Sequence, residues 1–210
     1  MSMRVIAGSA RGSRLECPPG EDVRPAPEMA RAALFNILQA DVPDAHVLDL
    51  FAGAGTIGIE ALSRGAARAV FIEVNPRHKA FIEKNLQHTH LADRAEVLVR
   101  DAFRSPEILE RMGAAFDLIY IGPPFPLLQD PTTKAQLMEL LDRLAERGIL
   151  KPEGVLVVQS DSTDHLPEAT AHLRQDDLRR YGRNVLTFYR RAEPPVATAT
   201  AENIQKSACC

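Results

Sequence analysis

The stretch that most constrains the fold of this chain is residues 47–58, VLDLFAGAGTIG, where an apolar run passes directly into a glycine-rich turn. The apolar half predicts a buried strand, and the spacing of the apolar residues that follow predicts a helix beginning near Thr56. Gly53, Gly55 and Gly58 let the backbone bend sharply and let a ligand approach its N–H groups closely. A strand, a glycine turn and a helix in this order indicate a ligand-binding α/β fold.

Two kinds of ligand suit such a turn. A dinucleotide would place its pyrophosphate at the helix N-terminus, whereas S-adenosylmethionine carries no phosphate and is held by its amino-acid end and ribose. Asp49 at the end of the strand favours S-adenosylmethionine, because a carboxylate would repel a pyrophosphate but attract the amino group of the methionine moiety. A dehydrogenase is therefore poorly supported.

The composition limits the class of protein. A chain of 210 residues with 45% hydrophobic residues predicts one folded domain with short appendages. No apolar run approaches the roughly 20 residues of a membrane span, and no signal-peptide pattern is present.

The chain has three cysteines, Cys17, Cys209 and Cys210. This is too few for a disulfide framework or a metal site, which predicts a cytoplasmic protein without a metal. The net charge of −3 means that nucleic-acid binding would need a local basic patch. Nothing indicates a coiled coil, so we expect a monomer.

From residue 47 onward strands alternate with helices, which predicts right-handed crossovers and a mainly parallel sheet. The later predicted strands are 69–73, 95–99, 116–121 and 155–159. The predicted helices after the glycine turn are 76–87, 106–112, 132–147 and 166–173. Residues 177–181 and 184–190, on either side of Gly182, predict an antiparallel hairpin at the sheet edge.

The ends of the chain differ from this central part, which we expect to form a domain over residues 26–191. Residues 1–25 predict a small β-hairpin extension with strands at 3–8 and 13–16 and a turn at Gly12. This extension carries four arginines, Arg4, Arg11, Arg14 and Arg24. They suit a phosphate backbone, although a solvated hairpin covering the domain edge is the alternative.

A helix should begin at Pro27, with Ala26 as an N-cap that offers no side-chain oxygen. Residues 192–210 show no periodicity and predict a disordered tail.

Acidic residues end three successive strands of the predicted sheet, where open α/β folds bind ligands. After Asp49 comes Glu73, where a carboxylate can accept both ribose hydroxyl protons. Asp101 follows the next strand and can accept from an adenine amino group, while Ala102 offers its backbone N–H and Phe103 packs nearby. Each acid alone could simply cap the following helix. Three in succession favour a cofactor site.

The fourth strand leads into Gly122, Pro123, Pro124 and Phe125. The two prolines make the loop rigid at the mouth of the predicted site. Phe125 can stack on a base that has been flipped out of its helix. The alternative is an ordinary proline-rich turn with Phe125 in the core.

Several segments together resemble the bacterial 16S ribosomal RNA guanine-N2 methyltransferase family, over roughly residues 3–190. The resemblance rests on RVIAG at 4–8, RP at 24–25, LFNIL at 34–38, LDLFAG at 48–53, EALSRGA at 60–66, PPF at 123–125 and YG at 181–182. It implies a Rossmann-like class I methyltransferase with a mostly parallel seven-stranded sheet, an antiparallel C-terminal hairpin and a small N-terminal β-hairpin. The implied reaction transfers a methyl group from S-adenosylmethionine to the exocyclic N2 of one guanine.

The same resemblance implies roles for particular residues and a partner. The cofactor would contact Asp49, Phe51, Gly53, Gly55, Glu73, Asp101 and Ala102. The guanine would be held by the loop of Gly122, Pro123, Pro124 and Phe125. The partner would be 16S rRNA or the assembling small ribosomal subunit, gripped through Arg4, Arg11, Arg14 and Arg24.

One departure from the family pattern bears directly on the chemistry: Gly122 stands where an acid or amide belongs. A guanine amine is a poor nucleophile because its lone pair is delocalised into the ring. A side-chain oxygen and a backbone carbonyl that accept from its two N–H groups orient that lone pair and stabilise the developing positive charge. Losing one such group typically costs about 10²–10³ in rate. Ala26, Met29, Ala32 and Gln159 also replace polar or charged residues of the family.

These departures leave alternatives open. The chain could be an impaired paralogue that binds cofactor or RNA without efficient transfer. It could also be a methyltransferase acting on another amine or amide, such as a DNA base or a protein, because enzymes of those kinds share the loop pattern. Asp130 or Asp161, which follow the fourth and fifth strands, are candidates to replace the missing acceptor.

Overall fold

The computed structural model describes residues 3–18 and 28–192. Four of the sequence-based expectations lie outside these residues: Arg24, the N-cap Ala26, the helix start at Pro27 and the tail beyond Ala192. Within residues 3–18 and 28–192, every helix is too short or too polar to span a lipid bilayer.

The elements follow the predicted alternation. The strands are β1 (Met3–Arg4), β2 (Arg14–Leu15), β3 (His46–Leu50), β4 (Arg68–Glu73), β5 (Ala95–Val99), β6 (Phe116–Ile121), β7 (Leu150–Asp161), β8 (Leu173–Tyr181) and β9 (Asn184–Arg191). The α-helices are α1 (Glu28–Ile37), α2 (Thr56–Ser63), α3 (Pro76–His88), α4 (Ser105–Arg111), α5 (Phe125–Gln129) and α6 (Pro131–Glu146). Short 3₁₀ turns precede β5 and α4.

The main sheet has seven strands in the order β5-β4-β3-β6-β7-β9-β8. Strands β3 to β7 are parallel, whereas β9 runs antiparallel to both β7 and β8. The chain leaves β3 toward β4 on one side and returns to place β6 on the other. This creates a topological switch point at the carboxyl end of β3. The predicted fold class is confirmed, including the antiparallel hairpin at the edge.

Alternate residues of each strand face opposite sides of the sheet, and each side has its own core. On one side Phe71 and Tyr120 pack with Leu34 of α1 and Leu62 of α2. On the other side the strands pack against α4 and α6, as Ile119 does in the same cluster as the buried leucines of α6. The sheet is therefore covered on both faces, as a parallel sheet requires.

One predicted helix is wrong. Residues 166–173 form no helix; the chain runs as a loop and enters β8 already at Leu173. Pro167 removes a backbone donor there, and Asp142 of α6 accepts hydrogen bonds from the Thr170 hydroxyl at 2.5 Å and from the His172 N–H at 3.0 Å. These tertiary hydrogen bonds hold the Thr170 side chain and satisfy the His172 N–H without a helix.

The N-terminal extension is held to α2 by a buried carboxylate. Glu60 is fully buried and accepts hydrogen bonds from the backbone N–H groups of Ile6 at 2.8 Å and Ala7 at 3.0 Å. Arg64 donates to the same carboxylate at 2.7 Å. Buried Arg31 of α1 lies 3.9 Å from it. Glu60 therefore joins the extension, α1 and α2 at one charged point.

Two further side chains complete this attachment. The Ser63 hydroxyl donates to the Ala7 carbonyl at 2.6 Å and accepts from the Ala10 N–H at 3.0 Å. Gly8 approaches so closely that a Cβ built on it would lie 1.8 Å from the Ser63 carbonyl oxygen. Asn85 of α3 exchanges hydrogen bonds with the backbone of Glu16. The EALSRGA segment thus contributes Glu60 and Ser63 as structural anchors for the extension.

We predict that Glu60→Ala lowers the free energy of unfolding by about 3–5 kcal/mol, because it leaves the buried Arg31 without its ion-pair partner. The measurement is denaturant unfolding. The matched control is Glu139→Ala, which removes an exposed carboxylate from α6 and should change stability by no more than about 0.5 kcal/mol. Equal stability of the two variants would contradict this role of Glu60.

Candidate functional site

A cleft of about 1030 Å³ opens at the carboxyl ends of β3, β4 and β6. Most of the residues expected at the site line this cleft: Asp49, Phe51, Gly53, Glu73, Asp101, Ala102, Gly122, Pro123, Pro124 and Phe125. The sheet brings them together because the carboxyl ends of parallel strands meet at one edge.

Gly55 is the exception among the expected cofactor contacts, because it does not line the cleft. It precedes α2 with φ of +76°, a backbone conformation that favours glycine. Its amide donates to the Ala52 carbonyl at 2.7 Å. Position 58 requires glycine for packing, since an added Cβ would lie 2.3 Å from the Phe71 ring. These two glycines shape the turn and its packing on the sheet.

Asp49 is the most deeply buried acid of the cleft, with 2% exposure. Its Oδ2 atom accepts a hydrogen bond from the Gly58 N–H at 3.0 Å. Burial, with a smaller contribution from the nearby Glu73 carboxylate, raises its pKa to about 8 against the opposing effect of the Gly58 hydrogen bond. The carboxyl group thus titrates close to neutral pH.

Glu73 holds the glycine turn from the neighbouring strand. Its Oε2 accepts from the Gly53 N–H at 2.8 Å, and its Oε1 accepts from the Asn75 N–H at 2.9 Å. His78 of α3 lies 3.4 Å from Oε1. Asn75 caps α3 by accepting from the Arg77 N–H at 2.9 Å, so Glu73 is not needed as the helix cap.

Asp101 and Phe103 form a further wall of the cleft. Asp101 does cap a short turn, because its Oδ1 accepts from the Phe103 N–H at 3.0 Å. The Phe103 ring meets Phe51 edge to face, with 5.5 Å between centroids. Phe51 has φ of +60°, which is uncommon for a bulky residue. This conformation places its ring where the strand turns into the glycine loop.

The proline loop forms the remaining wall. Gly122 hydrogen-bonds through its N–H to the Leu50 carbonyl at 3.3 Å. Phe125 is half-buried and lines the cleft, so it is not a core residue. It also begins the short helix α5, which the sequence did not predict.

Sequence reasoning missed Tyr120 and Arg183 as lining residues, and it named Gln159 only as a departure from the family pattern near Gly122. All three line the cleft. Tyr120 is 4% exposed, and its hydroxyl donates to Oε1 of Gln159. Strand alternation could have indicated Tyr120, because it lies two residues before Gly122 and so shares its face of the sheet. Tyr120 also pairs in register with Asp49 of β3.

The suggested replacement acceptors are engaged elsewhere. Asp130 is exposed and caps α6 by accepting from the Thr133 N–H at 2.8 Å. Asp161 binds Arg183 at 2.7 Å and the Thr163 N–H at 3.1 Å. Neither carboxylate lines the cleft, so the structure does not support either as the missing acceptor.

The described arginines of the extension lie apart from this cleft. Arg4, Arg11 and Arg14 are exposed, and Arg4 lies 3.4 Å from Glu28. Arg4 and Arg11 line a separate depression of about 270 Å³. The extension is nevertheless tied to the cleft, because Asn85 donates to both the Glu16 and the Ala54 carbonyls.

Comparison with known proteins supports the family that the sequence motifs indicate. A family model described as "Conserved hypothetical protein 95" matches residues 3–190. Ribosomal RNA small subunit methyltransferase D of Escherichia coli K12 is 34% identical over 170 residues, which cover 81% of this chain and 80% of that protein. The Bacillus subtilis protein YlbH, provisionally named as an rRNA methyltransferase, is 30% identical and covers 90% of this chain and 99% of its own length.

The chain belongs to this methyltransferase family. A solved Escherichia coli structure, described provisionally as a methyltransferase, is 31% identical to it with a TM-score of 0.76, covering 92% of this chain and all of that one. The resemblance inferred from the sequence motifs is confirmed. Methyltransferases of this class take their methyl group from S-adenosylmethionine, which is the cofactor here.

In this family member we predict that Gly122→Ala lowers the free energy of unfolding by about 1–3 kcal/mol. The reason is that the new Cβ would lie 2.8 Å from Cε1 of Tyr120, whose ring is fixed by the hydrogen bond to Gln159. In a Tyr120→Leu background the same change should cost about 1 kcal/mol less, because that ring atom is gone. Denaturant unfolding of the four proteins checks this, and an equal cost in both backgrounds would contradict it.

Proposed function

We propose that this protein transfers a methyl group from S-adenosylmethionine to the exocyclic N2 of a guanine in 16S rRNA. The observation that carries the proposal is that one cleft holds both the acids at the strand ends and the Pro-Pro-Phe loop. A cofactor and a flipped base would therefore meet in the same space. The rRNA methyltransferases similar to this chain support the class of substrate.

The residues of the cleft fit the cofactor. Among the described residues, the Oδ1 atom of Asp49 accepts no hydrogen bond, so it is available for the cofactor's amino group. Each oxygen of Glu73 already accepts one N–H and keeps a lone pair for a ribose hydroxyl. Asp101, Ala102 and Phe103 would hold the adenine. The bound cofactor supplies an electrophilic methyl group on a sulfonium.

The proline loop would position the target base. Pro123 is buried and Pro124 exposed, so the loop has a fixed base and an open rim. The half-buried Phe125 ring offers a face on which a flipped guanine can stack. The Gly122 backbone carbonyl would accept one N–H of the amine, as expected of this loop.

The extension would contact the RNA backbone. Arg4, Arg11 and Arg14 are exposed on one small segment, although the chain as a whole has a net charge of −3. Local positive charge of this kind suits phosphates. Arg24 belongs to the same proposal on sequence grounds. The partner is then 16S rRNA itself or an assembling small subunit.

A second candidate function is an impaired paralogue that binds cofactor or RNA but transfers slowly. Gly122 favours it, because glycine offers no side-chain acceptor for the amine. The two candidates share a cofactor site and differ in turnover.

We predict that the purified protein transfers labelled methyl groups from S-adenosylmethionine to small subunits from cells that lack this modification. Nucleoside analysis should place the label in 16S rRNA as N2-methylguanosine. Label on another nucleotide or on protein would contradict the proposed target. Binding of the cofactor product without transfer would favour the impaired paralogue.

We predict that S-adenosylhomocysteine binds about tenfold more weakly at pH 6 than at pH 7. Its cationic amino group prefers ionised Asp49, whose pKa of about 8 in the free protein means that a proton must leave before binding. The affinity therefore rises with pH up to about 8. Calorimetry across this range tests it, and Asp49→Asn should bind weakly with little pH dependence. An unchanged profile in that variant would show that Asp49 is not the group responsible.

A further inference from the structure

The space beside Gly122 is occupied by Tyr120. A Cβ built on Gly122 would lie 2.8 Å from Cε1 of the Tyr120 ring and 3.4 Å from its hydroxyl oxygen. The side-chain oxygen of an aspartate or asparagine at position 122 would be two bonds, about 2.4 Å, from that Cβ. The Tyr120 hydroxyl therefore stands next to the place where the missing acceptor would be.

The direction of the Tyr120 hydroxyl is fixed by a short chain of hydrogen bonds. The Gln159 amide nitrogen donates to Oδ1 of Asn184 at 2.7 Å. The Gln159 oxygen therefore faces Tyr120 and accepts a hydrogen bond from its hydroxyl. The phenol hydrogen is used in the bond to Gln159, but the phenol oxygen still has a lone pair that can accept a hydrogen bond. Tyr120 and Gln159 both line the cleft.

The phenol is neutral in this setting. Tyr120 pairs in register with Asp49 of the adjacent strand. Burial raises the pKa of Tyr120 above its usual range, and the Asp49 carboxylate raises it further, although Arg31 opposes the shift. Tyr120 is thus a hydrogen-bond acceptor without a charge.

We propose that the Tyr120 hydroxyl is the side-chain acceptor for the target amine, in place of the acid or amide that the loop lacks at position 122. This inference rests on the proposed methyl transfer to an amine. Gln159 and Asn184 act as positioning residues, because they hold the hydroxyl proton away from the substrate. The second N–H of the amine is left to the Gly122 backbone carbonyl.

The step balances without a base from the protein. The lone pair of the target nitrogen forms the new N–C bond while the C–S bond breaks, and that bonding pair remains on sulfur. The nitrogen becomes positively charged and then loses one proton to solvent water. Tyr120 takes no proton; its lone pair orients the N–H and stabilises the charge through the dipole of the phenol.

The test compares the wild-type chain with Tyr120→Phe in methyl transfer to small subunits lacking the modification. The change removes one oxygen and keeps the ring. We expect kcat to fall by about 10²-fold, while the KM for S-adenosylmethionine stays within about threefold. The control is Tyr189→Phe, which removes another buried hydroxyl that donates to the Pro167 carbonyl at 2.8 Å on the opposite side of the sheet. Its kcat should stay within about twofold.

The outcomes separate this inference from the proposed function. A wild-type enzyme that is active, with Tyr120→Phe equally active, overturns the inference and leaves the proposed function standing. A loss in Tyr120→Phe that comes only from weaker cofactor binding or a lower melting temperature, with kcat of the folded fraction unchanged, also overturns it. A wild-type chain that binds S-adenosylhomocysteine but transfers nothing to small subunits overturns both.

Discussion

Buried carboxylates that accept backbone N–H groups hold this structure together at its working edge. Asp49 accepts a hydrogen bond from the Gly58 N–H, and Glu73 accepts one from the Gly53 N–H. Two neighbouring strands therefore hold both ends of the glycine turn. Glu60 uses the same kind of bond to hold the N-terminal extension on α2. A buried charge is costly unless such partners compensate it, and the raised pKa of Asp49 means that its one N–H partner compensates only part of that cost. The turn is therefore fixed before any ligand arrives, and the acids at its base remain poised to bind one.

The cleft has two chemically different ends. Acids on β3 and β4, with Asp101 beyond them, surround the expected position of the cofactor. At the end under the proline loop, Gly122 carries no side chain and Tyr120 supplies a neutral phenol beside it. A neutral acceptor can orient an amine, but it stabilises positive charge less than a carboxylate would. On this account the chain retains the geometry of an amine methyltransferase with a weaker electrostatic contribution at the target nitrogen.

Much of this arrangement could be predicted from the sequence, because it depends on periodicity and on strand ends. Alternating strands and helices specify the parallel sheet, and acids that end successive strands must meet at one edge. The helix expected over 166–173 fails because Asp142, distant in sequence, satisfies that loop. The contact between Tyr120 and Gly122 could not be predicted either, since it depends on how one ring fills space left by an absent side chain. The glycine spacing alone does not distinguish a ligand contact at Gly55 from the conformational role that its positive φ indicates.

A crystal structure of the protein with S-adenosylhomocysteine would show directly whether the acids at the strand ends hold the cofactor. We expect the amino group to contact Asp49, the ribose hydroxyls to contact Glu73 and the sulfur to face the end of the cleft formed by Tyr120 and Gly122. A ligand bound outside the cleft, or one that leaves Asp49 and Glu73 without contact, would contradict this expectation.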